Sequence, residues 1–391
     1  MCIDPTRRRG TRHSRGRKSA PRAGSPAQQW LHRGEAPRAE PGHTRCDDRR
    51  PRPEGLPREY RDDRVQSDDR DRRATGDRAA VRRRRRHPGR RRHRRRVGEA
   101  VVPRERPTGQ LVSPRRSVAL PSGELVPALG QGTWGWAEHP DSRADEMAAL
   151  RLGLDLGMTL VDTAEMYADG GSEELVGEAI AGRRDEVFLV DKVLPGNADR
   201  QGTLDACRRS LGRLRTDRID LYLLHWRGRV PLGETVAAFD ELVRGGQIRH
   251  WGVSNFDTRD LADLAAVAGG GDVATDQILY NLQRRGPEFD LIPHCRQRGL
   301  PVMAYSPVEQ GRLLEHPALA EVASRHGITP ARAALAWVLR SDGMIAIPRA
   351  GSPEHVRDNA AALEVQLDED DVRLLDQAFP PPRTRRALEV L

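Results

Sequence analysis

Val187-Phe-Leu-Val-Asp-Lys-Val-Leu-Pro195, then an Ala/Leu/Arg-rich stretch at helical spacing over residues 203–214, then Asp220-Leu-Tyr-Leu-Leu-His225: this is the part of the chain that decides the fold. Both apolar runs are continuous rather than alternating, the pattern of strands covered on both faces. A helix between two such strands makes them parallel. The unit recurs. Strands are predicted over 128–133, 159–162, 187–192, 220–224, 248–254, 274–279, 301–306 and 344–348. Helices are predicted over 143–156, 173–181, 203–214, 233–244, 258–268, 290–298, the pair 317–326 and 330–340, then 353–362 and 368–378. Eight strand–helix repeats in about 250 residues have the count and size of a (β/α)8 TIM barrel. A small hairpin precedes them, 117–120 and 124–126, closed at Pro121-Ser122-Gly123. A doubly wound open sheet is the competitor, because Gly130-Gln-Gly132-Thr-Trp-Gly135 matches GxGxxG after a strand. That fingerprint should open a helix directly. Here Trp136, Pro140 and polar residues intervene, so the glycines are read as a strand-end turn.

In these barrels the chemistry lies where strands end and loops begin. The second strand delivers Asp162 and, five residues on, Tyr167; the third delivers Lys192; the fourth delivers His225 and Trp226. Lys192 is conspicuous because the only other lysine in the chain is Lys18; elsewhere positive charge is supplied by Arg. An ammonium is a compact point charge with a movable pKa, whereas a guanidinium is planar and permanently charged. Singly, Asp162 could cap a turn, Tyr167 could be core and His225 could be a satisfied buried histidine. Together they form a unit. A free Tyr has a pKa of about 10 and is a poor acid at neutral pH; a neighbouring ammonium is expected to lower it. Asp162 can orient Lys192, His225 can hydrogen-bond an oxygen gaining charge, and Tyr167 can donate a proton as hydride reaches a carbonyl carbon.

Five stretches carry a family resemblance. Gly157-Met-Thr-Leu-Val-Asp-Thr-Ala-Glu-Met-Tyr-Ala-Asp-Gly-Gly-Ser-Glu-Glu-Leu-Val-Gly177 is the longest, joined by Leu221–Trp226, Trp251-Gly-Val-Ser-Asn-Phe256, Ala304-Tyr-Ser-Pro307 and Ile347-Pro-Arg349. The chain from about Ser117 to Phe379 resembles the aldo-keto reductases, most of all their bacterial methylglyoxal-reducing members. The resemblance implies that Asp162, Tyr167, Lys192 and His225 form the catalytic tetrad. It implies NADPH as cofactor, with NADH as the less common choice, bound in an extended pose without a Rossmann fold. Ser254, Asn255 and Gln277 would hydrogen-bond the nicotinamide carboxamide and Tyr305 would stack on its ring, with Ser306 beside it. Gly132 and Thr133 would approach the cofactor from the first strand. Arg349 and Ser352, opening the helix after strand eight, would grip the 2′-phosphate through a cation and helix N-terminal amides. Asp358 and Asn359 match contacts at the adenine end, and Trp134 and Trp226 would line the substrate pocket with Tyr167. No metal is implied. Three departures are noted: Asp191 precedes the lysine where a small hydroxyl residue is commoner, His355 stands where many members have a second Arg, and Arg349 replaces a Lys. Alternation should point Asp191 away from the barrel interior. Short loops at 227–233 and 380–391 suggest an open pocket.

Composition divides the chain. Residues 1–116 carry 21 more basic than acidic residues and residues 117–391 carry 12 fewer, which together make the chain's +9. The barrel, residues 117–380, is therefore acidic, and a tail, 381–391, follows it. Residues 1–110, rich in Arg, Pro, Gly and Asp, cannot bury enough apolar surface to order themselves and are expected to be a disordered extension. They contain no apolar run of signal-peptide kind, and Asp62, Asp63, Asp68, Asp69 and Asp71 argue against a transit peptide. A phosphate-binding arm is one reading of the extension; a solvated appendage is another; translation of GC-rich DNA upstream of a non-AUG start near Leu111, Val112 or Val118 is a third and is favoured. Cys2, Cys46, Cys207 and Cys295 form no CxxC and imply neither disulfides nor zinc. The expected protein is a cytoplasmic monomer acting on small carbonyls, without a membrane or nucleic-acid partner. Two rivals to the enzyme are a redox-sensing NADPH-binding barrel and a reductase tethered to nucleic acid.

Overall fold

A computed structural model describes residues 117–391. The extension expected over 1–110 lies outside the described residues. The chain begins with a hairpin, β1 (Ser117–Ala119) and β2 (Leu125–Pro127), whose turn is fastened by Gly123 N donating to Leu120 O at 2.8 Å. Gly123 has φ +83°, which a side chain would resist. The hairpin is tied to the strands that follow: Glu124 accepts from Arg249 at 2.6 Å and lies 2.8 Å from His250 Nε2.

Eight strands then lie side by side in chain order: β3 (Gln131–Gly132), β4 (Leu160–Asp162), β5 (Phe188–Val193), β6 (Ile219–Leu224), β7 (Ile248–Ser254), β8 (Asp276–Leu279), β9 (Val302–Tyr305) and β10 (Met344–Ile347). All neighbouring pairs are parallel. The ends of this series meet. Leu129 bridges Ala346 in parallel, Gly130 N donates to Ala346 O at 2.8 Å, and Gly132 N donates to Pro348 O at 3.0 Å. The sheet therefore closes into a barrel, which abolishes its edges. The regular part of the first strand is shorter than the predicted 128–133, but bonds across the seam from Ala128 O, which accepts from Ala346 N at 2.8 Å, to Gly132 N keep the chain on the same path.

Helices follow the strands: α1 (Arg143–Asp155), α2 (Gly171–Ala179), α3 (Arg200–Leu214), α4 (Leu232–Arg244), α5 (Thr258–Ala265), α6 (Leu291–Gln297), α7 (Pro317–His326) and α8 (Pro330–Val338) after β9, α9 (Pro353–Ala361) after β10, and a final α10 (Glu369–Ala378). Their starts are chemical. Asp199 accepts from Gly202 N at 2.8 Å, Asp257 and Asp260 form a capping box, and Thr329 and Ser352 cap helices that open on Pro. Strands β4, β5, β6, β8 and β10 are buried throughout, their polar members Asp162, Asp191, Lys192, Asp220, Asp276 and Gln277 included, because both faces of each strand are covered. Among the described residues no helix is long and apolar enough to cross a membrane.

Candidate active site

The C-terminal ends of β4, β5 and β6 bring Asp162, Lys192 and His225 together, and the turn after β4 brings Tyr167 back over them. Lys192 is fully buried. Its Nζ donates to Asp162 Oδ2 at 2.8 Å, to Thr163 O at 2.8 Å and to Tyr167 OH at 3.1 Å. An ammonium has three donors, and each has a partner. Tyr167 begins a short 3-10 turn, Tyr167–Gly170, in which Ala168 and Asp169 have φ of 50° and 53°. The His225 ring meets the Tyr167 ring edge-on at 5.9 Å.

The electrostatics assign protonation states. Burial works to lower the Lys192 pKa, but the Asp162 charge and the Tyr167 hydroxyl outweigh it and hold the group well above its ordinary value. Burial pushes the Tyr167 phenol up, and Lys192 pulls it down by less. The expectation that the ammonium would bring the phenol below its usual pKa is therefore corrected: in this pocket desolvation of the phenolate is the larger effect. His225 is pushed down to about 2, by burial and then by the Lys192 charge, so its ring is neutral. Its Nδ1 is buried with no hydrogen-bond partner in the protein.

A polar wall runs round the rim from the tetrad. Gln277 Nε2 donates to Asp162 Oδ1 at 2.7 Å, and Ser254 Oγ donates to Gln277 O at 2.8 Å. Asn255, with φ 60°, turns its Nδ2 to His225 O at 3.1 Å, and its Oδ1 accepts from Tyr305 OH at 2.9 Å. Thr133 Oγ1 donates to Asp162 O at 3.0 Å. At Gly132 an added Cβ would lie 2.9 Å from Ile347 O, so the residue type follows from the closed seam. Ser306 follows Tyr305 with φ 50°. Trp134 is half exposed, and Trp226 is half-buried with its ring 5.0 Å from His225.

Arg349 is exposed at the end of β10, donating to Gly135 O at 3.3 Å, and Ser352 caps α9 by accepting from His355 N at 3.3 Å. Asn359 is buried, and Asp358 is held by Arg332 at 2.7 Å, facing α8. Asp191 points away from the interior as alternation requires: its register partner Tyr222 packs edge-on against Phe239 of α4.

Several residues were not singled out from sequence. Thr163 serves through its carbonyl, Glu165 accepts from Leu194 N at 2.8 Å and Asn197 Nδ2 at 2.9 Å, and Ser172 Oγ donates to Thr133 Oγ1 at 2.8 Å. The C-terminal tail, expected only to be short, makes contacts of its own. Arg284 pairs with Glu389 at 2.6 Å, Arg385 Nε with Asp290 at 2.9 Å, and Leu391 N reaches Tyr305 OH at 3.4 Å. The tail is short, but it lies along the rim. Charged residues in a tail carry no sequence signal for the place where they dock.

Known proteins resemble this chain in sequence and fold. The profile of the Aldo/keto reductase family matches residues 128–379. Methylglyoxal reductase YeaE of Escherichia coli is 50% identical over 276 residues, covering 69% of this chain and 97% of that protein. Glyoxal reductase of Bacillus subtilis is 30% identical over 263 residues, covering 66% and 91%. An aldo/keto reductase from Klebsiella pneumoniae, solved in complex with NADP and acetate, shares 50% identity and a TM-score of 0.69, covering 70% of this chain and 99% of its own.

Proposed function

This chain belongs to the aldo/keto reductase family, and we propose that it reduces small aldehydes and α-dicarbonyls of the methylglyoxal kind to alcohols with NADPH, Tyr167 acting as the acid. The observation that carries the reading is Lys192: a fully buried ammonium whose three donors meet Asp162, Thr163 O and Tyr167 OH. The names of the relatives, methylglyoxal and glyoxal reductase, support the substrate class.

The residues present suit a nicotinamide dinucleotide. Asn255 and Gln277 offer amides for a carboxamide, the half-buried Tyr305 offers a ring face, and Arg349 with the capped start of α9 offers a cation and free amides for a phosphate. The cofactor, when bound, supplies hydride to the carbonyl carbon. Tyr167 OH donates its proton to the carbonyl oxygen as negative charge develops there, and Lys192 beside it stabilises the phenolate left behind. Neutral His225 can donate a hydrogen bond to the same oxygen without competing for the proton. Asp162 keeps Lys192 charged and in place. Trp134 and Trp226 form the apolar side of the substrate cleft. One chain holds the whole tetrad, so a monomer suffices, and the buried free thiols Cys207 and Cys295 suit the reducing cytoplasm.

The test is NADPH consumption with methylglyoxal by the full chain and by Lys192→Arg. A guanidinium cannot reproduce three convergent bonds from one nitrogen. Turnover should fall on the order of 10²- to 10⁴-fold with NADPH binding kept. Equal turnover in both proteins would remove Lys192 from the mechanism, and NADPH binding with no turnover in either would favour a sensing barrel.

A further inference from the structure

Glu146 lies in the first turn of α1 and is 3% exposed. Its Oε2 accepts from Ala137 N at 3.0 Å and its Oε1 from Ser142 Oγ at 3.0 Å, so it holds the loop between β3 and α1. Arg349 reaches the same loop from the opposite side of the barrel seam. Its Nη2 donates to Gly135 O at 3.3 Å and stands 4.0 Å from Glu146 Oε1. A buried carboxylate thus flanks the cation assigned to the 2′-phosphate.

Glutamine could do both hydrogen-bonding jobs of Glu146. Its carbonyl oxygen would accept from Ala137 N, and its amide would donate to Ser142 Oγ, whose own proton can go to His139 O at 2.9 Å. What a carboxylate adds is charge, and Arg349 is the cation it faces. A 2′-phosphate must draw the guanidinium from Glu146 and then lie near a like charge. A 2′-hydroxyl meets neither cost.

We propose that Glu146 is a specificity-determining residue that restrains affinity for NADPH relative to NADH by competing with the 2′-phosphate for Arg349. The inference rests on the reading of Arg349 as the phosphate grip. Arg349 is half exposed, so solvent weakens the effect.

The experiment measures Kd for NADP⁺ and for NAD⁺ with the full chain, wild type and Glu146→Gln, Ser142→Ala and Arg349→Ala. Glu146→Gln should tighten NADP⁺ roughly three- to tenfold, leave NAD⁺ and kcat unchanged, and lose its advantage as salt rises. Ser142→Ala loosens the loop but keeps the charge, and should leave the NADP⁺/NAD⁺ ratio as it is. Unchanged or weaker NADP⁺ binding in Glu146→Gln, or the same ratio change in Ser142→Ala, overturns the proposal. Arg349→Ala separates the two readings. If it abolishes the preference while Glu146→Gln is neutral, only the role of Glu146 fails; if it leaves the preference intact, the phosphate grip fails and the inference with it.

Discussion

At position 192 the number of donors decides the residue. An ammonium presents three hydrogens from one atom, and Asp162, Thr163 O and Tyr167 OH take all three. The tetrad residues were legible in sequence because Asp162, Lys192 and His225 lie at or next to strand ends and Tyr167 follows in the turn after β4, and strand ends are where side chains of a barrel converge. Their protonation states were not legible, because burial is a tertiary quantity. With the Tyr167 phenol raised by burial and His225 lowered to about 2, the reduction rate at saturating substrate should stay flat from pH 5 to 9. It should fall only where the phenol loses its proton, above about pH 10. A steady-state pH profile checks this; an inflection near 6.5 would assign His225 a titrating role. Asp191 makes a second prediction. Both its oxygens are buried without a well-formed hydrogen bond, and burial, then the Glu173 charge, outweighs the nearby Lys192 amide and Ser210 hydroxyl and holds its pKa well above the usual carboxylate range. A raised folded-state pKa gives stability that is complete below the unfolded value of about 3.9 and is lost as pH rises through the folded one. Asp191→Ser should therefore stabilise the protein, by about 1–2 kcal/mol at pH 8 and less at pH 4, with turnover unchanged. Thermal melts at the two pH values test the sign.

Elements that read well from sequence were those with strong punctuation. The starts of α7, α8 and α9 are marked by His316-Pro317, Thr329-Pro330 and Ser352-Pro353, and a helix was predicted to begin at each proline. The start of α3 read late, at 203 instead of Arg200, because Asp199 caps an uncommon Arg-Gln-Gly first turn. The 3-10 turn at Tyr167–Gly170 was invisible, since two of its three left-handed residues are Ala168 and Asp169, types that seldom mark such a turn. A prediction belongs to α10. Asp371 completes its capping box and lies 2.5 Å from His326 Nε2 at the end of α7. Burial acts to raise its pKa, but the bonds to His326 and Asp368 win and hold the carboxyl below its ordinary value. That stability is present above about pH 4 and fades as pH falls through the folded value. Asp371→Ala should lower stability by about 1–3 kcal/mol at pH 7, and the gap to wild type should narrow towards pH 3. Denaturant titrations at both pH values check it. At the barrel seam, Gly132→Ala would place a methyl 2.9 Å from Ile347 O and should destabilise the closure by about 1–3 kcal/mol.

For the whole molecule, charge makes the testable statement. Residues 117–391 carry 12 more acidic than basic residues, and residues 1–116 carry 21 more basic than acidic. A protein starting at residue 117 should pass unretained through a polyanion column at low salt, whereas the full chain should bind and elute as salt rises. Equal reductase activity in both would show that the basic segment has no part in catalysis; retention of the shorter protein would refute the charge argument.

The amino-acid sequence by itself determined the count and order of the strands, the parallel barrel, and the four residues that meet at its rim. Those follow from short-range pattern: continuous apolar runs, helical spacing, and residue types at run ends. The tertiary structure alone decided that the first and last strands close through Leu129–Ala346, that desolvation outweighs the ammonium at Tyr167, that the tail reaches Tyr305, and that Glu146 faces Arg349. Each of these joins groups far apart in the chain, and the strength of each contact depends on water excluded by residues that no local pattern names.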